Sequence, residues 1–177
     1  MKAGDLDLAD FYEKMVKEYL EQQGYTVRLR IRFFKTGGFS DIDVFAINSV
    51  NEKIIVGEVK GPTLGKKQID QENNDFNNSH LLKKIKELAG DSKYSKYVFC
   101  WSVTEETKEY ALKKYQITII QFWEIINQFI GRVKKVREKG KWIYDQTFPN
   151  TMLLQMLSFF NKPIKGKKRI DLSNLQN

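Results

Sequence analysis

The spacing of apolar residues predicts helices and strands along the first three-quarters of the chain. Residues 7–23 carry apolar side chains at intervals of three and four, which is typical of an amphipathic helix. Residues 25–34 instead alternate apolar and polar positions, which predicts a half-exposed strand with Arg28, Arg30 and Arg32 on its polar side. Two strands that are apolar on both faces follow, and a turn at residues 48–52 joins them.

The remaining pattern predicts a change from hairpins to strand–helix units. The polar segment 65–78 is expected to begin as a short helix and to loosen near its asparagines. Beyond it we predict helices at 81–88, 104–115 and 122–133, and strands at 94–103 and 117–120. Residues 134–144 either extend the last helix or form an exposed strand. Three successive strands favour antiparallel pairing, whereas later strand–helix alternation favours parallel pairing. The sequence therefore predicts an α/β fold with a mixed sheet flanked by helices.

Three charged residues stand at the ends of the two apolar strands. Asp43 lies near the start of one, and Glu58 and Lys60 close the other. Residues two apart in a strand point to the same face, so Glu58 and Lys60 project together, and antiparallel pairing brings Asp43 beside Glu58. Two carboxylates suit Mg²⁺, and a lysine beside them could orient or deprotonate an attacking water. A structural ion-pair cluster is the alternative interpretation, because these residue types are common.

The element order, together with these residues, resembles the PD-(D/E)XK nuclease superfamily, which has the restriction-endonuclease-like fold. The resemblance spans roughly residues 8–131, and it implies an αβββαβ core. Asp43 matches the acidic position at the second strand, and Glu58-Val59-Lys60 matches the ExK motif that ends the third. The resemblance implies a Mg²⁺- or Mn²⁺-dependent DNA endonuclease, in which Asp43 and Glu58 hold the metal and Lys60 positions the water. Holliday-junction resolvases of this superfamily act as dimers, so a homodimer is compatible with it.

Other positions of the family pattern are matched less directly. Many members hold the metal partly through a glutamate of the first helix, and Glu13 matches that position because it lies within the apolar stripe. Glu18 and Glu21 are expected to face solvent instead. For the glutamine that some members carry after the ExK motif, Gln68 is our candidate and Gln71 the alternative.

The proline–aspartate pair of the family is absent from this chain. Ser40 and Asp41 occupy that neighbourhood, and Asp41 precedes Asp43 by two residues. Either aspartate could be the main ligand. We prefer Asp43 because the apolar run follows it directly, and Asp41 is then a supporting residue.

The net charge of +8 is concentrated near the C-terminal end. Residues 132–177 contain 11 lysines and arginines but only 3 acidic residues. A basic segment on a neutral body favours a nucleic-acid partner over a merely solubilising tail, and RNA is not distinguished from DNA. We therefore predict a nuclease-like domain at 1–131 and a basic extension at 132–177 that carries a short apolar helix at 151–160. The predicted backbone contacts are Lys134, Lys135, Arg137, Lys139 and Lys141.

Composition also excludes several classes of site. One cysteine and one histidine allow neither an intramolecular disulfide nor a histidine-rich zinc site, and they make a Ser-His-Asp triad improbable. No apolar run approaches the ~20 residues of a transmembrane helix, and the acidic start lacks an apolar signal segment, so we predict a cytoplasmic protein without membrane contact. The functional rival is a non-catalytic nucleic-acid-binding module on the same fold.

Overall fold

The computed structural model describes residues 8–35, 37–61 and 63–139. The order of the helices and strands agrees with the predicted one for the first helix, for the three strands that follow it and for the later strand–helix units. Their bounds are α1 Leu8–Glu21, β1 Thr26–Lys35, β2 Gly38–Asn48, β3 Lys53–Val59, β4 Thr63–Leu64, α2 Lys66–Phe76, α3 Ser79–Ala89, β5 Tyr94–Cys100, β6 Ser102–Val103, α4 Glu105–Tyr115, β7 Ile117–Gln121 and α5 Phe122–Glu138.

Five strands form one mixed sheet in the order β1-β2-β3-β5-β7. Strand β2 pairs antiparallel with both β1 and β3. Strand β5 then pairs parallel with β3, and β7 pairs parallel with β5. Short turns suffice for antiparallel neighbours, whereas parallel neighbours need the crossovers that α2–α3 and α4 supply. This architecture confirms the predicted α/β fold with a mixed, helix-flanked sheet.

Apolar side chains on both faces of the sheet form the core, because alternate residues of a strand point to opposite sides. One cluster joins β2, β3, β5 and β7 to α2, α3 and α4, and it includes Ile42, Phe45, Val56, Val98, Ile117, Ile69, Phe76, Leu81 and Ile85. Helix α1 contacts β1, β2 and β3, and it buries Met15, Val16 and Leu20. Cys100 is buried at the end of β5.

The prediction that residues 65–78 loosen near the asparagines is wrong. Helix α2 is continuous through Asn73 and Asn74, and α3 follows after two residues. Asparagine is a weak helix former, but Ile69 and Phe76 are fully buried, and this tertiary packing overrides the local preference. Asn78 then caps α3 by accepting hydrogen bonds from the backbone N–H groups of His80 and Leu81.

The predicted strand at 94–103 is divided at Trp101. Its first part is β5, and its second part is β6, which pairs with β4 in a separate two-stranded sheet. Helix α5 continues past Val133 to Glu138, so residues 134–138 extend the helix and do not form the alternative strand. Within the described residues, no helix is long and apolar enough to cross a membrane.

The chain divides into two units, one that ends at Ile125 and one that begins at Ile126. The predicted domain boundary at Gly131 stays a prediction. The apolar segment 151–160 lies outside the described residues.

Candidate active site

Strand β3 is held between β2 and β5 up to Gly57, and β5 alone pairs with Glu58 and Val59 at its end. Val56 and Gly57 pair with β2, while Glu58 and Val59 pair with Val98 and Phe99 of β5. Beyond the strand, the Lys60 N–H donates to the Phe99 carbonyl at 2.8 Å. The two side chains of the ExK motif therefore leave a strand end that neighbouring strands hold in place.

Asp43 lies where the hydrogen-bond ladders on both sides of β2 are interrupted. The β1–β2 register passes from Leu29↔Val44 to Ile31↔Ile42 and omits Arg30 and Asp43, and Arg30 has a φ of 55°. On the other side, the β2–β3 pairs stop at Val44↔Gly57. The Asp43 carboxylate instead accepts a hydrogen bond from the Val59 N–H at 2.7 Å. This contact brings Asp43 to the strand end that carries Glu58.

Lys60 joins two buried carboxylates. Its Nζ lies 2.9 Å from Glu58 Oε2 and 3.2 Å from Glu72 Oε2. Glu58 and Glu72 are 6% and 7% exposed. Glu72 Oε2 is buried without a well-aligned hydrogen bond in the described part of the chain, so its contact with Lys60 is an ion pair.

Sequence reasoning missed Glu72. The signal lies in the helical spacing of α2, where Ile69, Glu72 and Phe76 follow at intervals of three and four and are all buried. A glutamate within the apolar stripe of a helix is unusual, because burying a carboxylate costs free energy unless a partner compensates for it. The partner here comes from β3, which the spacing of α2 alone does not reveal.

The electrostatics of this cluster favour an added positive charge. Burial, followed by the charge of Asp43, raises the pKa of Glu58 to about 9, although Lys60 opposes the change. Burial also raises the pKa of Glu72, against the opposing effect of Lys60. Burial lowers the pKa of Lys60, but the charges of Glu58 and Glu72 raise it more, and the net shift is upward. The single positive charge of Lys60 is thus shared between the negative charges of Glu58 and Glu72.

A divalent cation fits two of these carboxylates. Mg²⁺ is commonly bound by one or two carboxylates and keeps several waters, so Asp43 and Glu58 are sufficient. Among residues 8–35, 37–61 and 63–139, no three acidic, histidine or cysteine side chains are arranged around one metal position. A divalent cation bound by Asp43 and Glu58 would therefore take most of its remaining ligands from water.

A cavity of about 440 Å³ opens beside Lys60. Since one water occupies about 30 Å³ of liquid, a phosphate group with several waters can enter it. Its lining residues are Lys60, Gly61, Thr63, Leu64, Gln68, Gln71 and Glu72. The lysine and the buried glutamate of α2 thus face the same space.

Asp41 and Gln68 each have a local partner. Asp41 lies 3.4 Å from Arg32 of β1, its cross-strand neighbour. The Gln68 side-chain oxygen accepts a hydrogen bond from the Gly65 N–H at 2.7 Å and so caps α2, although Gln68 also lines the cavity. Their accessory roles stay predictions.

Glu13 is buried against Arg30 rather than grouped with Asp43 and Glu58. It is 5% exposed, and its carboxylate accepts hydrogen bonds from Arg30 Nε at 2.8 Å and Nη2 at 3.2 Å. A role in metal binding stays a prediction for Glu13. The expectation that Glu18 and Glu21 face solvent is wrong, because Glu18 is 2% exposed and Glu21 is half-buried.

We expect Arg30→Ala to lower the free energy of unfolding by about 1–3 kcal/mol, because it removes hydrogen-bond donors from the buried Glu13 carboxylate. Urea denaturation measures this change. Arg28→Ala is the matched control, since Arg28 is an exposed arginine of the same strand and its loss is expected to cost under about 0.5 kcal/mol. Equal stability of the two variants would contradict the structural importance of the Arg30–Glu13 pair.

The predicted nucleic-acid contacts are only partly described. Lys134 and Lys135 are exposed on α5, and Lys139 is exposed just after it. Arg137 belongs to the same helix, and Lys141 lies outside the described residues. Their contact with nucleic acid stays a prediction.

Solved structures resemble this chain at low sequence identity. No family model and no curated protein matches it. The protein of unknown function AF1548 matches with a TM-score of 0.48 and 18% identity over 63% of this chain and 57% of its own. Protein VC1899 from Vibrio cholerae matches with a TM-score of 0.42 and 13% identity over 67% of this chain and 30% of its own. A repair endonuclease from Pyrococcus abyssi matches with a TM-score of 0.41 and 16% identity over 68% of this chain and 48% of its own.

The chain thus spans just over half of the length of AF1548, about a third of VC1899 and about half of the repair endonuclease. Their TM-scores are modest and their identities low. A functional assignment therefore has to come from the residues of this chain.

Proposed function

We propose that this chain is a metal-dependent endonuclease that hydrolyses phosphodiester bonds in DNA. The observation that carries the proposal is the cluster at the end of β3. There the buried Glu58 lies beside Asp43, and Lys60 lies 2.9 Å from Glu58 next to an open cavity. An aspartate, a glutamate and a lysine at one sheet end supply both metal ligands and a group that acts on water.

Each residue has a distinct task in this proposal. Asp43 and Glu58 hold a Mg²⁺ or Mn²⁺ ion, directly or through water. A bound ion would supply Lewis-acid chemistry, which would polarise the scissile phosphate and stabilise charge on the leaving oxygen. Lys60 orients the attacking water from the cavity wall, and its ammonium stabilises charge that develops on the phosphate. The strand pairing around Glu58 fixes these groups before substrate binds.

The basic extension at 132–177 supplies the proposed contacts with the nucleic-acid backbone. Lysines and arginines that contact phosphates give affinity that falls with salt and carries little sequence information. DNA as the preferred substrate, a homodimeric state and a cytoplasmic location belong to this proposal.

A non-catalytic nucleic-acid-binding module is the second candidate, and the double ion pair of Lys60 favours it. In that case Lys60 serves only to compensate for Glu58 and Glu72, and the cluster is structural. The two candidates differ in whether the cluster binds a divalent ion.

Metal binding is the first test. We expect Mg²⁺ or Mn²⁺ to raise the melting temperature, because a ligand at a hundred times its Kd stabilises the native state by about 2.7 kcal/mol. Glu58→Gln and Asp43→Ala should abolish this response, whereas Asp91→Asn, which changes an exposed aspartate paired with Lys86, should leave it intact. Differential scanning fluorimetry with EDTA as the reference measures the shift.

Cleavage of a labelled panel completes the test. The panel contains single-stranded, duplex, flap and four-way-junction DNA, with RNA as a further substrate. Metal-dependent cutting that Asp43→Ala abolishes would support the nuclease. Binding without cutting of any substrate, and without a metal response, would favour the non-catalytic module.

A further inference from the structure

The part of the cluster that the proposed function does not use is Glu72. It is a buried carboxylate on α2, between the apolar Ile69 and Phe76. An apolar residue at this position would avoid the cost of burying a charge. Within the described residues, the cation that contacts Glu72 Oε2 is the Lys60 ammonium, whose Nζ lies 3.2 Å away.

Lys60 depends on fixed anions because its own side chain is flexible. A lysine has a four-carbon stem and a compact charge, so its ammonium is held only where partners hold it. Two partners do so here, Glu58 on its own strand and Glu72 on α2. They differ in one respect, because Glu58 is also a proposed metal ligand and Glu72 is not.

A divalent cation at Asp43 and Glu58 changes the balance between these two partners. Its charge offsets that of Glu58, which weakens the attraction between Glu58 and Lys60, and like charges repel Lys60 from the ion. Glu72 is then the remaining carboxylate within contact of the ammonium. Both Lys60 and Glu72 line the cavity, so an ammonium held by Glu72 stays beside the space where a phosphate can enter.

Helix α2 is itself anchored on both sides of Glu72. The hydroxyl groups of Tyr110 and Tyr115 each donate to Asp70 Oδ1 at 2.6 Å. Three residues after Glu72, Asp75 pairs with Lys35 of β1. These contacts tie the helix to α4 and to the sheet, so the Glu72 backbone is not free to follow Lys60.

We propose that Glu72 is a positioning residue that keeps the Lys60 ammonium at the cavity when Glu58 binds a divalent cation. The inference rests on the proposed nuclease function and adds a residue from outside the strands to it. Glu72 acts through Lys60 and needs no contact with the metal or the substrate.

The direct test is a spectroscopic measurement of Lys60 in the full chain. In protein labelled with ¹⁵N-lysine, an ammonium held by carboxylates gives a slowly exchanging side-chain signal, which Lys60→Arg assigns by its loss. We expect the signal with and without Mg²⁺ in the wild type. In Glu72→Gln it should persist without metal, where Glu58 still holds Lys60, and disappear when Mg²⁺ is added.

Kinetics supply the second readout. Glu72→Gln should lower kcat about ten- to a hundredfold, which is less than the ~10²- to 10⁴-fold cost of losing the catalytic group itself, because Lys60 is still present but less well held. KM and the Mg²⁺-induced shift in melting temperature should change less than about twofold, because Glu72 binds neither ligand. Glu109→Gln is the matched control, since Glu109 pairs with Lys113 at 2.6 Å on an exposed face of α4. Glu72→Asp, which keeps the charge on a shorter side chain, should lie between Gln and wild type.

The outcomes separate this inference from the proposed function. A Lys60 signal and a kcat that survive Glu72→Gln in saturating Mg²⁺ would overturn the positioning role while the nuclease stands. A wild type that neither cuts nor responds to metal would instead remove the proposed function. If Glu72→Gln does not fold, Glu72→Asp is used to test the positioning role in its place. An unchanged kcat of Glu72→Asp, together with a slowly exchanging Lys60 signal in Mg²⁺, would then overturn the inference.

Discussion

Replacing Lys60 by alanine is expected to lower DNA cleavage about a thousandfold while leaving DNA binding within about twofold. Loss of a positioned acid–base group or of a charge-stabilising donor typically costs a factor of about 10² to 10⁴. Binding changes little because the proposed contacts to the nucleic-acid backbone lie on other residues. Single-turnover cleavage and an equilibrium binding assay separate the two quantities.

Two variants sharpen the Lys60 experiment. Lys53→Ala removes an exposed lysine at the opposite end of the same strand and should leave cleavage unchanged. Lys60→Arg keeps the positive charge but cannot release a proton near neutral pH, so partial activity in it indicates electrostatic stabilisation rather than general base catalysis. Full cleavage by Lys60→Ala would remove the lysine from the mechanism.

Phe122→Ala is expected to produce the largest loss of stability, about 3–5 kcal/mol, because the substitution leaves a large cavity among aromatic rings. Phe122 is fully buried. Its ring stacks on Tyr12 of α1 at 4.9 Å and meets Trp101 edge-on at 5.4 Å. The three rings join α1 to the residue that follows β5. Urea denaturation followed by circular dichroism measures the loss.

Trp123→Ala is the matched control for Phe122. The two residues are adjacent, but Trp123 is 47% exposed and so removes less apolar area from water. We expect it to cost less than half as much as Phe122→Ala. Equal losses would contradict the conclusion that the burial of Phe122 among the rings determines the loss of stability.

The sequence predicted most of the fold because the two periodicities are clear in it. The spacing of Met15, Val16 and Leu20 belongs to a helix, and the apolar runs on each side of the turn at 48–52 belong to buried strands. Predictions were wrong where packing between distant segments decides the structure. Helix α2 is continuous because Ile69 and Phe76 are buried, and a window of asparagines does not contain that information.

The candidate site was predictable only to the extent that it is local. Glu58 and Lys60 share a face by strand geometry, and antiparallel pairing places Asp43 near them. The ion pair to Glu72 joins residues from β3 and α2, and its position depends on how the helix packs on the sheet. Glu13 illustrates the same limit, because its contact with Arg30 depends on the irregular backbone of β1, where φ is 55°.

Strand β3 lies where the antiparallel and parallel halves of the sheet meet. Strand β3 pairs antiparallel with β2, which supplies Asp43, and parallel with β5, whose Val98 is in register with Glu58. The parallel strands β5 and β7 end on the same side of the sheet as β3, but they supply none of the proposed catalytic groups. The segment after β5 borders the cavity instead, because Ser102 and Val103 pair with Thr63 and Leu64, which line it. Under the proposed function, changes at Ser102 and Val103 would alter the shape of the cavity while Asp43 and Glu58 stay on β2 and β3.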